Sequence, residues 1–436
     1  MDFTFGPDDT AFRAEARAWL EAHLVGPYAT AAGVGGPGSE HEGAEIRRAW
    51  ERELGSGGWI GLGWNHGAGP GGGPGRHGDG TGEGTRDLGG HGNHDGHGNH
   101  DGRGCGTGFG NRRATLTQQV VWAEEYARAH APARVGHIGE NLLAPTLIAH
   151  GTPEQRRRFL PAVARGEELW CQGYSEPGAG SDLAGVRTTA VPDPARGGHR
   201  VTGQKIWTSL AREADWCFVL ARTEPGSRRH RGLSFLLVPM DQPGRIEVRP
   251  IRQMSGTSEF NEVFFDGAHA EECVGGEGNG WAVAMSLLSL ERGVSTLVQQ
   301  IGFTAELDRV VRAAVDGGAV TDPVLRDRLV RQWAELRVMR WNALRTLGSA
   351  GDPGAPSVAK LLWGGWHQRL GELAVEIRGA AGAVGPRDWS ARSPYELDEA
   401  QRLFLFTRSD TIYGGSDEIQ RNIIAERVLG LPRETG

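Results

Sequence analysis

The chain has 436 residues and a net charge of −7, which suits roughly three domains that each bury a core. It has no basic excess of the kind that a nucleic-acid partner requires. No apolar run reaches membrane-spanning length, and the acidic start MDFTFGPDDT lacks the features of a signal peptide. We therefore expect a cytoplasmic protein that binds neither nucleic acid nor membrane. Four widely spaced cysteines without a CxxC motif are expected to be reduced: Cys105, Cys171, Cys217 and Cys273.

The first 168 residues are dominated by helical patterns. Phe12, Ala16 and Leu20 fall on one side of a helix predicted over residues 8–24, which begins with acidic residues. Further helices are predicted at about 42–54, 114–130, 135–150 and 153–165.

Residues 66–112 have a different composition, almost wholly Gly, His, Asp and Asn, with HGNHDG repeated at 91–96 and 97–102. Such a segment cannot bury apolar surface, so we predict that it is disordered. Its histidines, together with Asp95 and Asp101, are ligands that a transition metal accepts. No predicted helix or strand holds them in a fixed array, so no metal site is predicted.

From about residue 169 to 280 the pattern changes to short strands and turns. VTGQKIWTS, WCFVLART, LSFLLVPM and EVFFDGA run apolar or alternate over strand-like lengths. Beyond residue 281, amphipathic helical segments return at about 281–315, 323–347, 357–377 and 417–428. The chain is therefore predicted to be α+β, with helices before and after a β-domain.

The stretch WCQGYSEPGAGSD, residues 170–182, reads as a strand that enters a tight loop. Glycines such as Gly180 allow positive φ and let backbone N–H groups face a ligand without interference from a Cβ atom. Ser175 and Ser181 bracket the loop with hydroxyls, and Glu176 and Asp182 are expected to fix the turn by bonding nearby amides. The loop is predicted to hold a ligand, although a solvated turn has the same composition.

A second stretch supports the ligand-binding interpretation: GQKIWTS at 203–209, followed by the strand WCFVLA at 216–221. Together the two stretches resemble the flavin-holding middle domain of the acyl-CoA dehydrogenase family. The resemblance extends to GTPEQRRRFLP at 151–161 and to YGGSDEIQRNIIAERVLGLPRE from Tyr413. It therefore covers nearly the whole chain.

The resemblance implies a three-domain fold. An N-terminal helical domain is expected at 1–168, a middle β-barrel-like or sandwich domain at 169–280, and a C-terminal four-helix bundle at 281–436. The flanks of the Gly/His-rich segment, GWIGLGW and ATLTQQVVWAEEYARA, resemble family segments that a short loop normally joins. Residues 66–112 are therefore expected to be an insertion into the first domain.

The resemblance also implies FAD as cofactor and gives roles to particular residues. Ser175 would bond near the reactive N5 and O4 of the flavin, and Trp207 would pack on the isoalloxazine. Ser209 would touch the ring edge, and Ser181 would meet the CoA arm of the substrate. The full set of expected cofactor-binding residues is Tyr174, Ser175, Gly180, Ser181, Trp207, Thr208, Ser209 and Ser416.

The reaction of the family removes the α-proton of an acyl-CoA thioester to a carboxylate while the β-hydrogen leaves as hydride to the flavin. The commonest family position for that carboxylate is Gly414 in this chain, and glycine cannot accept a proton. A minority of members place the glutamate before an arginine on the helix that opens the C-terminal domain. Glu291 is therefore the expected base, with Arg292 orienting it and the Gly414 amide donating to the thioester oxygen. The alternative is that Glu291 and Arg292 form an ordinary ion pair.

The far arm of the flavin site departs from the family pattern. Homomeric relatives carry an Arg-x-x-Phe motif and a Gln-then-Gly-Gly segment that reach the partner subunit's pyrophosphate. VDGGAVTDPVLRDRL lacks the first motif, and Glu376 occupies the second, where only Arg378 is placed to compensate its charge. This resembles heteromeric bacterial members, so we expect a homo- or hetero-tetramer with another family member.

Three functions remain open at the level of sequence. The first is an FAD-dependent acyl-CoA dehydrogenase for a branched, cyclic or bulky acyl group, which passes electrons to an acceptor protein. The second is a non-catalytic partner subunit of a heteromeric dehydrogenase. The third is a flavin monooxygenase or oxidase on the same scaffold. Glu291 favours the first, the altered pyrophosphate arm favours the second, and no residue favours the third.

Overall fold

A computed structural model describes residues 5–36, 39–64, 109–290, 294–347, 354–384 and 397–433. The helices are α1 Pro7–His23, α2 Pro27–Thr30, α3 Ala44–Ser56, α4 Leu116–Arg128, α5 Ala144–His150, α6 Pro153–Ala164, α7 Gly280–Leu290, α8 Val294–Asp316, α9 Pro323–Leu347, α10 Ala355–Glu376, α11 Ala380–Ala383, α12 Glu399–Thr407 and α13 Asp417–Ile423. The strands are β1 Trp170–Gly173, β2 Thr189–Pro192, β3 His199–Ser209, β4 Trp216–Arg222, β5 Leu233–Pro239, β6 Ile246–Ile251, β7 Phe260–Ala270 and β8 Glu272–Val274. This order of helices, strands and helices confirms the predicted α+β class.

The N-terminal helices pack around a cluster of aromatic rings. Trp59 stacks on Trp122 with 4.3 Å between ring centroids, and Trp19 packs beside both. Phe12 and Leu20 of α1 are buried in the same cluster, on the side of the helix that was predicted to be apolar. The apolar side of α1 therefore determines how the helix packs, because large aromatic rings provide most of the apolar surface that these helices bury.

A buried ion pair ties α3 to the segment before α5. The Glu51 side chain is wholly buried and accepts hydrogen bonds from Arg134 Nε at 2.7 Å and from the amides of Val135 and Gly136 at 2.8 and 3.1 Å. Burial alone would raise the pKa of Glu51, but the Arg134 charge and these donors lower it below its usual range. Glu51 therefore stays ionised and holds three groups at once.

The middle domain is built on one eight-stranded sheet with the order β6-β7-β3-β2-β4-β5-β8, and β1 pairs with β4 in parallel. Strand β4 is buried along both faces. Its Phe218 and Leu220 point into a core shared with α7, whereas Cys217 and Val219 point into a second core on the other face. This double burial explains the continuous apolar run WCFVLA.

The C-terminal helices α8, α9, α10 and α12 pack together around Phe303, Leu336, Trp366 and Leu370. Sequence analysis predicted helix over 281–315; the structure has α7 and α8 there, and residues 291–293 lie outside the described residues. Helix α12 was not predicted. Its signal was a capping box in which Asp398 and Gln401 bond each other's backbone amides.

The Gly/His-rich segment ends earlier than predicted. Asn111 is buried and its side-chain amide donates to the Gly61 carbonyl at 2.5 Å, while Arg112 Nε donates to the Gly57 carbonyl at 2.7 Å. The guanidinium of Arg112 also lies over the Trp59 ring. Residues 109–112 are therefore ordered, and their inclusion in the disordered segment was wrong, because two polar side chains there find backbone acceptors. The predicted disorder of 66–108 lies outside the described residues.

The exact domain boundaries, 1–168, 169–280 and 281–436, stay a prediction. Cys171, Cys217 and Cys273 are free thiols, and Cys105 lies outside the described residues. Among the described helices, none combines the length and the apolarity needed to cross a membrane.

Replacing Glu51 with glutamine tests the buried pair. The amide NH₂ of Glu51→Gln would face donors, so we expect a loss of about 3–5 kcal/mol, as for other broken buried pairs. Urea denaturation should report it as a lower midpoint. Glu154→Gln is the matched control, because Glu154 pairs with Arg157 on the surface and should leave the midpoint unchanged. Equal midpoints for the two variants would contradict the assignment.

Candidate functional site

A buried lysine holds the end of β1 to the sheet. Lys205 of β3 is fully buried, and its Nζ donates to the carbonyls of Tyr174 and Leu220 at 3.0 and 2.8 Å. Its third bond goes to Glu176 Oε1 at 2.8 Å. Burial lowers the pKa of Lys205, and the Glu176 carboxylate opposes that shift. All three ammonium protons are thus used, which fixes the position where β1 enters the loop.

Glu176 fixes the turn as sequence analysis predicted. Its Oε2 accepts from the Arg187 amide at 2.6 Å and its Oε1 from the Thr188 amide at 2.9 Å. Burial would raise the pKa of Glu176, but the Lys205 charge and these donors lower it. Asp182 takes part through its backbone carbonyl, which accepts from the Gly185 amide at 2.9 Å. Lys205 itself was given no role in the sequence, because a single lysine in a strand pattern does not reveal its burial.

Trp207 lies beside this turn in a strained backbone conformation. The register of β3 against β7 shifts between Lys205 and Thr208, which is a β-bulge, and Trp207 has φ 61°. Its indole is 53% exposed and meets Phe260 edge-on at 6.0 Å. The Ile206 amide donates to the Ser175 carbonyl at 2.9 Å. The structure therefore brings Ser175 and Trp207 together. The Trp207 indole faces outward, and its backbone is strained by the positive φ.

The polar groups around the bulge are incompletely paired. Thr208 and Asn261 are fully buried and face each other in the β3–β7 pair, where the Asn261 side-chain NH₂ donates to the Thr208 carbonyl at 3.0 Å. Thr208 Oγ1 and Asn261 Oδ1 have no hydrogen-bond partner among the described residues. A flat aromatic group with polar edges fits this arrangement, since the indole offers a face and the unpaired atoms offer hydrogen bonds. Asn261 was not among the residues predicted from the sequence.

The glycine turn opens onto a cleft. Glu176, Gly178, Arg187, Gly203 and neighbouring residues line a space of about 370 Å³. Gly180 and Ser181 are exposed at the tip of the same loop. The loop is thus anchored at its base by Lys205 and accessible at its tip, which suits contact with a mobile part of a ligand.

Three sequence models of the acyl-CoA dehydrogenase family match the chain: the N-terminal domain at residues 104–167, the middle domain at 171–268 and the C-terminal domain at 278–429. The chain belongs to the acyl-CoA dehydrogenase family. It is an acyl-CoA dehydrogenase with FAD as cofactor, and the arrangement around Trp207 fits that group.

Named relatives extend over the whole chain. Acyl-CoA dehydrogenase IpdE1 of Mycobacterium tuberculosis is 52% identical, covering 98% of this chain and 99% of its own. Among solved structures, the Tcur3481-Tcur3483 steroid ACAD is 26% identical with a TM-score of 0.76 and full coverage of both chains. The ChsE4-ChsE5 complex from Mycobacterium tuberculosis is 26% identical with a TM-score of 0.72 and the same coverage.

The C-terminal motif of this acyl-CoA dehydrogenase forms a second cluster. Gly414 and Gly415 have φ of 65° and 84°, and the Ser416 hydroxyl accepts from the Ile419 amide at 3.4 Å as the N-cap of α13. Among the described residues, no hydrogen bond or ring contact joins residues 413–416 to β3, which carries Trp207, or to the loop after β1 that carries Ser175. Glu291 and Arg292 lie outside the described residues. The roles of all these residues stay predictions.

The two charges in the altered pyrophosphate segment have partners within the chain. Glu376 pairs with Arg328 of α9, and Arg378 pairs with Asp398. The sequence alone allowed Arg378 to compensate the charge of Glu376. In the structure Arg378 pairs with Asp398 instead. Both pairs lie at the surface, where such interactions are weak.

Trp207 provides a test of the flavin surface. Glycine adopts a positive φ without strain, so Trp207→Gly removes backbone strain of about 1–3 kcal/mol. The apo-protein should therefore lose little stability and melt at nearly the native temperature. FAD affinity should fall about tenfold, the equivalent of a lost aromatic stacking contact. Calorimetry of the apo-protein and fluorescence titration with FAD separate the two effects.

Leu210→Gly is the matched control, because Leu210 also has positive φ, 57°, but is buried. It should lower the melting temperature of the apo-protein through lost packing. If Trp207→Gly lowers that temperature as much, the indole is structural and the flavin role is wrong.

Proposed function

We propose that the chain catalyses the α,β-dehydrogenation of an acyl-CoA thioester with a bulky, cyclic or branched acyl group. The observation that carries this proposal is the open space at Gly414: among the described residues, a Cβ built there meets only Lys360 Cε, at 3.8 Å. Many relatives carry the catalytic carboxylate at this position, so its absence leaves room for a wide substrate. The steroid ACAD among the structural relatives supports the same substrate class.

The chain's own residues divide the chemistry. FAD, when bound, supplies the hydride acceptor. Trp207 and Ser175 hold and orient the ring, with Tyr174, Thr208 and Ser209 beside it, and Gly180 lets the loop approach the ligand. Ser181 at the loop tip contacts the CoA arm. Among the described residues, none accepts a hydrogen bond from the Gly414 amide, which suits it to donate to the thioester oxygen as negative charge develops there.

The base in this proposal is Glu291. Gly414 has no side chain to take the α-proton, and Glu291 directly follows α7, whose Val283, Ala284 and Leu287 are buried against the sheet. Helix α7 is thus anchored to the same domain that carries Trp207. Arg292 is proposed to orient the carboxylate, and reoxidation of the cofactor is assigned to an electron-transfer protein.

We further propose that the active form is a hetero-oligomer with another family member. In the segment that matches the family's pyrophosphate-binding motif, Glu376 is an anion and Arg378 is already paired with Asp398, so neither residue offers a free cation to the pyrophosphate of a partner's FAD. Two of the structural relatives, Tcur3481-Tcur3483 and ChsE4-ChsE5, are themselves assemblies of two different chains. In this arrangement the unlike subunit completes the site, and Ser416 is the hydroxyl that this chain contributes from its last motif.

Glu291→Gln tests the base. The amide keeps the size and hydrogen bonding of the side chain but cannot accept the α-proton, so flavin bleaching by acyl-CoA should fall by roughly 10²–10⁴-fold. Cyclohexylthioacetyl-CoA, a 3-thia analogue, should give a charge-transfer colour in the native protein and none in the variant, while isothermal titration shows binding to both. Native bleaching rates in Glu291→Gln would place the base elsewhere.

Co-expression tests the hetero-oligomer. Expressed alone, the chain should retain little FAD, and co-expression with a family member encoded beside it should restore a yellow complex, since that chain supplies the missing cation. Flavin absorbance and mass photometry measure both. Glu376→Gln should raise the FAD content of the lone chain if the carboxylate repels pyrophosphate. A lone homo-oligomer with stoichiometric FAD would overturn the proposal.

A further inference from the structure

The turn around Gly414 is fixed firmly on its C-terminal side. Gln420 is fully buried, and its side-chain amide donates to the carbonyls of Gly414 and Gly415 at 3.3 and 3.2 Å. The Asp417 amide donates to the Thr411 carbonyl at 3.0 Å. These bonds set the direction of the two peptide groups, whose positive φ angles glycine adopts without strain.

The N-terminal side of the same turn depends on Asp410. Its carboxylate is fully buried, and Oδ1 accepts from the Tyr413 hydroxyl at 2.7 Å. Its backbone carbonyl accepts from Lys360 Nζ, whose ammonium also lies over the Tyr413 ring at 4.8 Å. Tyr413 directly precedes Gly414, so Asp410 controls the position of the glycine turn.

Asp410 is in turn held by a buried histidine of α10. His367 is 3% exposed; its Nδ1 lies 2.7 Å from Asp410 Oδ2, and its Nε2 lies 2.7 Å from Glu306 Oε2 of α8. Carboxylates accept hydrogen bonds, so both ring nitrogens are placed to donate, and a ring that donates from both nitrogens is an imidazolium. Two carboxylates, Glu306 and Asp410, are then balanced by two cations, His367 and Lys360.

The surroundings agree with that charge state. Burial lowers the pKa of His367, but its bonds to Asp410 and Glu306 raise it further, to about 9. The pKa of Tyr413 is raised by burial of its hydroxyl and by the Asp410 carboxylate, so the phenol stays a donor. The other faces of the ring meet the aromatic rings of Phe303 and Trp366, which exclude water. Loss of the proton would leave one uncompensated negative charge in this cluster.

We propose that the His367 imidazolium is a positioning residue for the substrate: through Asp410 and Tyr413 it fixes the Gly414 amide that faces the acyl thioester. The inference rests on the proposed function, because it assumes that this amide donates to the thioester oxygen. His367 reaches neither the substrate nor the cofactor in this arrangement. Its effect passes through a single buried carboxylate that both it and the turn require.

Hydrogen exchange and analogue binding test the proposal on the full chain, co-expressed with its partner where FAD retention requires it. His367→Gln keeps one donor but no charge. The amides of residues 411–416 should exchange about tenfold faster, and the Kd for cyclohexylthioacetyl-CoA should rise about tenfold, the equivalent of one charge-assisted hydrogen bond. FAD content should not change. An equal rise in exchange throughout α8 and α10 would mean that His367 only stabilises the bundle.

A charge-balanced variant provides the rescue. In His367→Gln with Glu306→Gln, Asp410 and Lys360 again sum to zero, so exchange in the turn and affinity for the analogue should return most of the way to native. Arg369→Gln is the control on the same helix, because Arg369 pairs with Glu335 at the surface and should change neither measurement. Failure of the double variant to recover would overturn the charge-balance account.

The pH dependence separates positioning from structure. The charged ring is present below its pKa and lost above it, so analogue affinity of the native protein should fall between pH 8 and pH 10. The double variant should lack this step. A native profile without the step, or one shared with the double variant, would overturn the proposal.

Two further outcomes cover the cases in which His367→Gln gives no answer. If His367→Gln does not fold, Tyr413→Phe removes only the hydroxyl that meets Asp410 and should still accelerate exchange in the turn several-fold; unchanged exchange would overturn the inference. If the native protein binds no cyclohexylthioacetyl-CoA, the proposed function fails and the inference with it. Normal native binding with unaltered variants overturns the inference alone.

Discussion

The ammonium of Lys205, buried without access to water, holds together the part of the middle domain that carries the proposed flavin site. Moving an unpaired charge into a protein interior costs several kcal/mol, so Lys205 is tolerable only with all its partners in place. Those partners are the carbonyl of Tyr174, just after β1, the carbonyl of Leu220 in β4, and the Glu176 carboxylate that also closes the glycine turn. One charge therefore dictates the geometry of strand, turn and bulge together.

The strained Trp207 depends on that frame. A tryptophan at positive φ persists only where its neighbours determine the backbone, and here the ordered residues on both sides of the bulge do so. The bulge turns the indole outward while Thr208 returns to the ladder opposite Asn261. Because Lys205 fixes the strand next to the bulge, the Trp207 indole is held with one face exposed. Such a face suits stacking of an isoalloxazine ring.

The C-terminal domain handles charge in a different way. Gly414 has no side chain, and among the described residues none accepts a hydrogen bond from its amide, whereas the charged groups of this region are buried behind the turn, around Asp410. A surface ion pair contributes little to stability, as at Glu376 and Arg328, but a buried charge constrains every group that it touches. In the proposed function, the missing side chain at Gly414 widens the substrate side while the buried charges keep the turn ordered.

The sequence by itself determined the class of the fold and the order of the helical and β regions, because periodicity and turn residues are local properties. The family followed separately, from the resemblance of the motifs at 170–182, 203–221 and from Tyr413 onward. The resemblance also predicted one flavin site for Ser175 and Trp207, which lie about thirty residues apart, and the structure brings their backbones close through the bond from the Ile206 amide to the Ser175 carbonyl. The sequence did not reveal Lys205, Asn261 or His367 as structural centres, nor that residues 109–112 pack against the loop at Gly57. Only the tertiary structure decided these, because burial and charge pairing join residues that are distant in the chain: Glu306, His367 and Asp410 lie on three different segments, and each is unremarkable in its own sequence context.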